Sequence, residues 1–101
     1  MRIYVDIDGT ICETPNMDGR WVYPLAVPIQ SHIDKINKLH NNGDTIVYWT
    51  ARGSNTGDDW YEFTESQLKE WGCKFDELIC GKDKGAFDMV IDDKAKRIEE
   101  I

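Results

Sequence analysis

Residues 2–7 read Arg-Ile-Tyr-Val-Asp-Ile, a short, almost continuously apolar run of β-branched and aromatic residues that stops at the turn formers Asp8-Gly9-Thr10. A strand that is apolar at successive positions, not alternate ones, is one covered on both faces, as in a parallel sheet packed between other elements. The rest of the chain supplies suitable neighbours. Ile29, Ile33, Ile36 and Leu39 recur at helical spacing and line one face, and Gly43 stands where a helix ends. Thr45-Ile46-Val47-Tyr48-Trp49-Thr50 reads as a second buried strand, followed by turn formers at 53–57. A second helix follows, with Asp59 and Glu62 as a capping box and Trp60, Phe63, Gln67 or Leu68, and Trp71 on its inner face before Gly72. Leu78-Ile79-Cys80 predicts a short strand, Phe87 to Ile91 a stronger one ending in Asp92-Asp93, and 94–101 a brief terminal helix. The order βαβαββα predicts an α/β fold, a small Rossmann-like parallel sheet flanked by helices.

At 101 residues the chain has room for a single domain, 1–101, in which the irregular stretch at about 11–28, holding Pro15, Gly19 and Pro24, forms a short flap. Twelve Lys and Arg against nineteen Asp and Glu leave a net charge of −7. That balance opposes a sequence-independent grip on nucleic-acid phosphates and docking on an anionic membrane surface. No run approaches membrane-spanning length, and the N-terminus lacks the apolar segment of a signal peptide. Three cysteines, Cys12, Cys73 and Cys80, are an odd number without Cys-x-x-Cys spacing, so neither a disulfide framework nor a zinc site follows. Idle thiols in a reducing cytoplasm are expected. His32 and His40, both on the first helix, read as ordinary helix side chains and not as ligands.

Ligands of open parallel sheets sit beyond the carboxyl ends of the strands. The first strand delivers Asp6 and Asp8 there, the second Thr50, and the last Asp92 and Asp93. Residues i and i+2 of a strand point the same way, so Asp6 and Asp8 can approach one group together. Several carboxylates in one crevice repel unless a cation offsets them, and oxygen-only ligands favour Mg²⁺ held jointly with a substrate phosphate. Singly, each piece has an ordinary reading: Asp92-Asp93 as a helix cap, Thr50 as a β-former. Their joint order points to phosphoryl chemistry.

That order resembles the haloacid dehalogenase (HAD) superfamily of phosphohydrolases over most of the chain. Asp6-Ile7-Asp8-Gly9-Thr10 is similar to its first motif, Thr50 in Trp49-Thr50-Ala51-Arg52-Gly53 to the second, and Ile91-Asp92-Asp93 to the fourth. For the third, a lysine, both Lys82 and Lys84 are available in Gly81-Lys82-Asp83-Lys84-Gly85; Lys84 is favoured by its spacing to Asp92, although the usual Lys-Pro pairing is absent. The resemblance implies that Asp6 attacks phosphorus to form an aspartyl-phosphate. Asp8 would protonate the leaving alcohol and then deprotonate the hydrolytic water, while Thr50 and the lysine hold phosphoryl oxygens. Mg²⁺ would be held by the Asp6 carboxylate, the Asp8 backbone carbonyl and Asp92 or Asp93, with Asp93 favoured for direct contact. Arg52 could fork onto a second phosphate or a carboxylate; a surface ion pair is the plainer reading.

Neither interval that carries a cap domain in such enzymes is long enough here, so the chain resembles a small capless member. Asn16, Arg20, Trp21 and Tyr23 of the flap are placed to contact a leaving group, or Trp21 and Tyr23 to pack the flap onto the core. An open site accepts a bulky substrate or needs a second subunit, so a homo-oligomer is one expectation. The implied function is a magnesium-dependent phosphomonoester hydrolase acting on a small phosphorylated metabolite such as a sugar phosphate. The alternatives are a polynucleotide or nucleotide 3′-end phosphatase, which needs few basic contacts, and a non-catalytic HAD-like binding module.

Overall fold

The computed structural model describes residues 1–53, 59–81 and 89–91. In chain order the elements are β1 (Arg2–Asp6), β2 (Cys12–Glu13), β3 (Asn16–Met17), β4 (Arg20–Trp21), a 3₁₀ turn (Tyr23–Leu25), β5 (Val27–Pro28), α1 (Gln30–Asn41), β6 (Thr45–Thr50), α2 (Tyr61–Glu70), β7 (Glu77–Cys80) and β8 (Met89–Ile91). Four of the strands form one sheet in the order β7-β6-β1-β8, and every neighbouring pair is parallel. The expected α/β architecture is therefore present. The strand expected at 87–91 is described from Met89 onward, while the lysine segment at 82–84, Asp92, Asp93 and the helix expected at 94–101 lie outside the described residues.

Register explains how the core is assembled. Ile3 pairs with Ile46, and Val5 with both Tyr48 and Ile91, so these side chains share one face of the sheet. Ile33 and Ile36 of α1 and Leu68 of α2 join them in one buried cluster, edged by Leu39, Trp71 and Phe75. Both crossovers, β1 to β6 and β6 to β7, step in the same direction across the sheet, and right-handed connections then place both helices on the same side. Tyr4 and Val47, on the alternate positions, are buried as well, as the unbroken apolar run of β1 required.

Three local expectations are corrected. The capping box on α2 does not form. Trp60 is the N-cap residue without a side-chain cap bond, and Asp59, one position earlier, accepts the Tyr61 amide at 3.0 Å. Phe63, expected on the inner face, is 37% exposed and stands edge-on to Trp60; the buried positions of α2 are Thr64, Gln67 and Leu68. The flap, read as irregular, holds two antiparallel pairs, β2 with β5 and β3 with β4. Asp18 and Gly19 close the second at φ 53° and 81°, the left-handed pair that a tight hairpin uses, and Asn16 Oδ1 accepts the Gly19 amide at 3.1 Å. No helix among the described residues is long and apolar enough to cross a membrane.

Candidate active site

The carboxyl ends of β1 and β6 lie side by side, since Asp6 is in register with Trp49. Beyond them opens a cavity of about 350 Å³, lined by Asp6 and Asp8 from the end of β1 and the turn after it, Trp49, Thr50, Ala51 and Arg52 from the end of β6 and the turn after it, and Trp21 and Tyr23 from the flap. Asp6, Asp8, Thr50 and Arg52 are thus brought together; Lys82, Lys84, Asp92 and Asp93 lie outside the described residues. Ile91, the last described residue, pairs with Val5, next to Asp6.

The turn that presents the two acids is held by the main chain. Thr10 and Ile11 amides donate to the Ile7 carbonyl at 3.1 and 3.0 Å, and the Gly9 amide to Cys12 at 3.0 Å. Gly9 has φ 84°, while a Cβ there would meet nothing within 4 Å, so the requirement for glycine is conformational and not one of space. His32 of α1 adds a side-chain anchor: its Nδ1 lies 2.7 Å from the Thr10 carbonyl. A carbonyl only accepts, so that nitrogen carries the proton.

Asp6 and Asp8 sit in different surroundings. Asp6 Oδ1 accepts the amide of Ile7 at 2.9 Å, and the residue lines the cavity. Asp8 is clamped. Arg52 Nη2 donates to Asp8 Oδ1 at 2.8 Å and Arg52 Nε to Oδ2 at 3.0 Å, a fork across both oxygens. Thr14 Oγ1 donates to the same Oδ1, and Cys12 Sγ makes a long contact to it at 3.7 Å. Burial pushes the Cys12 thiol up to about 11, so it acts there as a neutral donor.

Arg52 is fully enclosed: its side chain has 0% exposure, against 24% for Asp8. Its Nη1 donates to Gln67 Oε1 at 2.8 Å and to Thr64 Oγ1 at 3.2 Å, both from α2, and its guanidinium carbon lies 4.6 Å from the centre of the Tyr23 ring. Gln67 Nε2 in turn donates to the Tyr23 carbonyl at 2.9 Å, joining helix and flap. Of the readings open to Arg52, the fork onto a carboxylate is the one seen here, the carboxylate being that of Asp8, and the ion pair is internal and not on the surface.

Thr50 is buried at the end of β6, where its Oγ1 accepts the Arg52 amide at 3.2 Å. That bond uses a lone pair and leaves the hydroxyl proton available to an acceptor in the cavity. Trp21, 57% exposed on the flap, and Trp49 add aromatic surface. Of the other flap candidates, Asn16 serves the hairpin turn, and Arg20 pairs with Met17 in it.

Sequence reading did not single out Thr14, Thr64 or Trp49 for the site. Gln67 carried the strongest available signal, a polar residue on the inner face of a helix, which is tolerated only with a partner. Among the described residues, no group of three or more His, Cys, Asp or Glu side chains is placed to hold a metal ion, and Cys12, Cys73 and Cys80 are free thiols.

No protein-family model matches the chain, and no curated protein matches it. Among solved structures, the crystal structure of a structural-genomics target from Vibrio cholerae is similar, with a TM-score of 0.72 and 28% identity over 99% of this chain and 86% of that one. The likeness supports the fold and brings no activity with it.

Proposed function

We propose that the protein is a phosphomonoester hydrolase of the HAD kind, a capless Rossmann-like domain that works through an aspartyl-phosphate on Asp6. The observation that carries this reading is the convergence of Asp6, Asp8 and Thr50 on one cavity at the carboxyl ends of adjacent parallel strands. A nucleophile and an acid–base group must reach the same phosphoryl group while differing in environment, and these two carboxylates do differ.

In the first step a carboxylate oxygen of Asp6 bonds to phosphorus as the bond to the leaving oxygen breaks, and Asp8 gives its proton to that oxygen. In the second, Asp8 takes a proton from water as the water oxygen bonds to phosphorus, and the electron pair of the breaking bond returns to Asp6. The Thr50 hydroxyl proton is available to a phosphoryl oxygen throughout. Lys84, or Lys82, is proposed for the same task.

The donor set suits Mg²⁺, which takes oxygen ligands, commonly one or two carboxylates with substrate phosphate. Both side-chain oxygens of Asp8 are engaged by Arg52, so the Asp6 carboxylate, the Asp8 main-chain carbonyl and Asp92 or Asp93 would hold it, with Asp93 favoured. Bound there, it would offset negative charge on the phosphoryl group.

A small phosphorylated metabolite fits the net charge of −7 best. The aromatic wall of Trp21, Tyr23 and Trp49 would stack on a sugar ring or a nucleobase, which keeps a 3′-phosphorylated oligonucleotide in the comparison. The test is phosphate release from an aryl phosphate, sugar phosphates, nucleotides and that oligonucleotide, with Mg²⁺ or with EDTA, by wild type and Asp6→Asn. Metal-dependent turnover absent from Asp6→Asn is expected. A folded wild type that releases no phosphate across the panel would leave a binding module as the better reading.

A further inference from the structure

The geometry points to Arg52 as a positioning residue that fixes which oxygen of Asp8 carries the catalytic proton, namely Oδ2. This deepens the hydrolase reading and rests on it. A carboxylate oxygen offers about two in-plane lone pairs. Oδ1 accepts from Arg52 Nη2 at 2.8 Å and from Thr14 Oγ1, with Cys12 Sγ at 3.7 Å beside them, so a proton there would have to displace a donor. Among the described residues, Oδ2 accepts from Arg52 Nε alone, at 3.0 Å, which leaves a lone pair for the proton.

The guanidinium is suited to hold and not to exchange, since it does not deprotonate in proteins. Arg52 is itself held from the other side by Thr64 and Gln67, and Gln67 bonds the Tyr23 carbonyl. The orientation of the Asp8 carboxylate is thereby set by α2 and by the flap that faces the leaving group. Because the Arg52 side chain is fully enclosed, it acts through Asp8 and makes no contact with phosphate.

Leaving groups separate these roles. The nitrophenolate of 4-nitrophenyl phosphate departs with little help from an acid, whereas the alkoxide of benzyl phosphate needs a proton. Steady-state constants are measured on both, with Mg²⁺, for wild type, Asp6→Asn, Asp8→Asn, Arg52→Lys, Gln67→Met and the Arg52→Lys/Asp8→Asn double variant. Lysine keeps the charge and loses the fork. Arg52→Lys is expected to lose about 100-fold in kcat/KM, which reports the step in which the leaving group departs, on benzyl phosphate and under about 10-fold on the aryl ester, within the range a general acid contributes. The double variant should lose no more than Asp8→Asn alone.

A KM raised about tenfold with kcat retained would make Arg52 a phosphate ligand and overturn the proposal; so would equal losses in kcat/KM on both esters. Should Arg52→Lys fail to fold, Gln67→Met decides: a smaller loss with the same bias toward benzyl phosphate supports the role, and an unbiased loss refutes it. Turnover by wild type that survives in Asp6→Asn would instead bring down the aspartyl-phosphate reading, and no turnover by a folded wild type the hydrolase reading itself.

Discussion

The cavity has two walls built on different physics. On the sheet side, Asp6, Asp8, Thr50 and Arg52 stand at the ends of strands whose inner residues, Ile3, Val5 and Ile46 among them, are wholly buried. On the flap side, the strands are two residues long, and Met17, Trp21, Leu25 and Val27 are exposed. One wall takes its shape from a close-packed core, the other from turn geometry and a few main-chain bonds. Reacting groups belong on the first, where a displacement of an ångström is costly; contacts to a variable leaving group can sit on the second.

The sharpest break of that contrast is Asp6→Asn. It should lower kcat by at least about 10³-fold with the circular dichroism unchanged, because it removes the proposed nucleophile and leaves the core intact. A residual rate above a tenth of wild type would remove Asp6 from that role. Next comes Leu68→Ala, which opens a cavity beneath the sheet wall and should cost about 2–5 kcal/mol in denaturant unfolding. Gly19→Ala should act on the other wall only. An L-residue in the left-handed region costs about 1–2 kcal/mol, and hydrogen exchange should show amides around β3 and β4 opening faster while those of β1 and β6 do not change.

Trp21→Ala should change stability by no more than about 0.5 kcal/mol, while raising KM roughly 2- to 10-fold for ring-bearing substrates over small alkyl phosphates. An equal KM for both classes would place the leaving group elsewhere. A further test concerns pH. Burial raises the Cys12 and Cys73 thiols from 9.0 to about 11. Their contribution to stability is complete below about pH 9 and is lost as pH rises toward 11. Melting temperatures over that interval should fall less in Cys12→Ala/Cys73→Ala than in wild type.

What the sequence made legible was whatever a long stretch of side chains decides together. The apolar runs of β1 and β6 and the spacing of Ile33, Ile36 and Leu39 each reflect burial against many neighbours, and all are found as expected. The pairing of Asp6 with Asp8 needed only the two-residue period of a strand. What stayed hidden was decided by single contacts. Two-residue strands are too short to show any period, although Asp18-Gly19 carried a hairpin signal. The inner face of α2 was misjudged at Phe63 because apolar character was weighed alone, and the buried Thr64 and Gln67 face an internal arginine. Arginine is rarely fully enclosed, so nothing in Thr50-Ala51-Arg52 announced that its partner would be Asp8.

The position of β1 has a further consequence. It lies inside the sheet, with β6 along one side of it and β8 along the other, partners that begin at Thr45 and Met89. Closing the second of those loops carries the larger entropy loss, so contacts of high sequence separation govern how fast the cavity appears. A nascent chain that has emerged only as far as β7 can pair one side of β1 and not the other. The cavity at the carboxyl ends should therefore take its final shape only once β8 has joined β1.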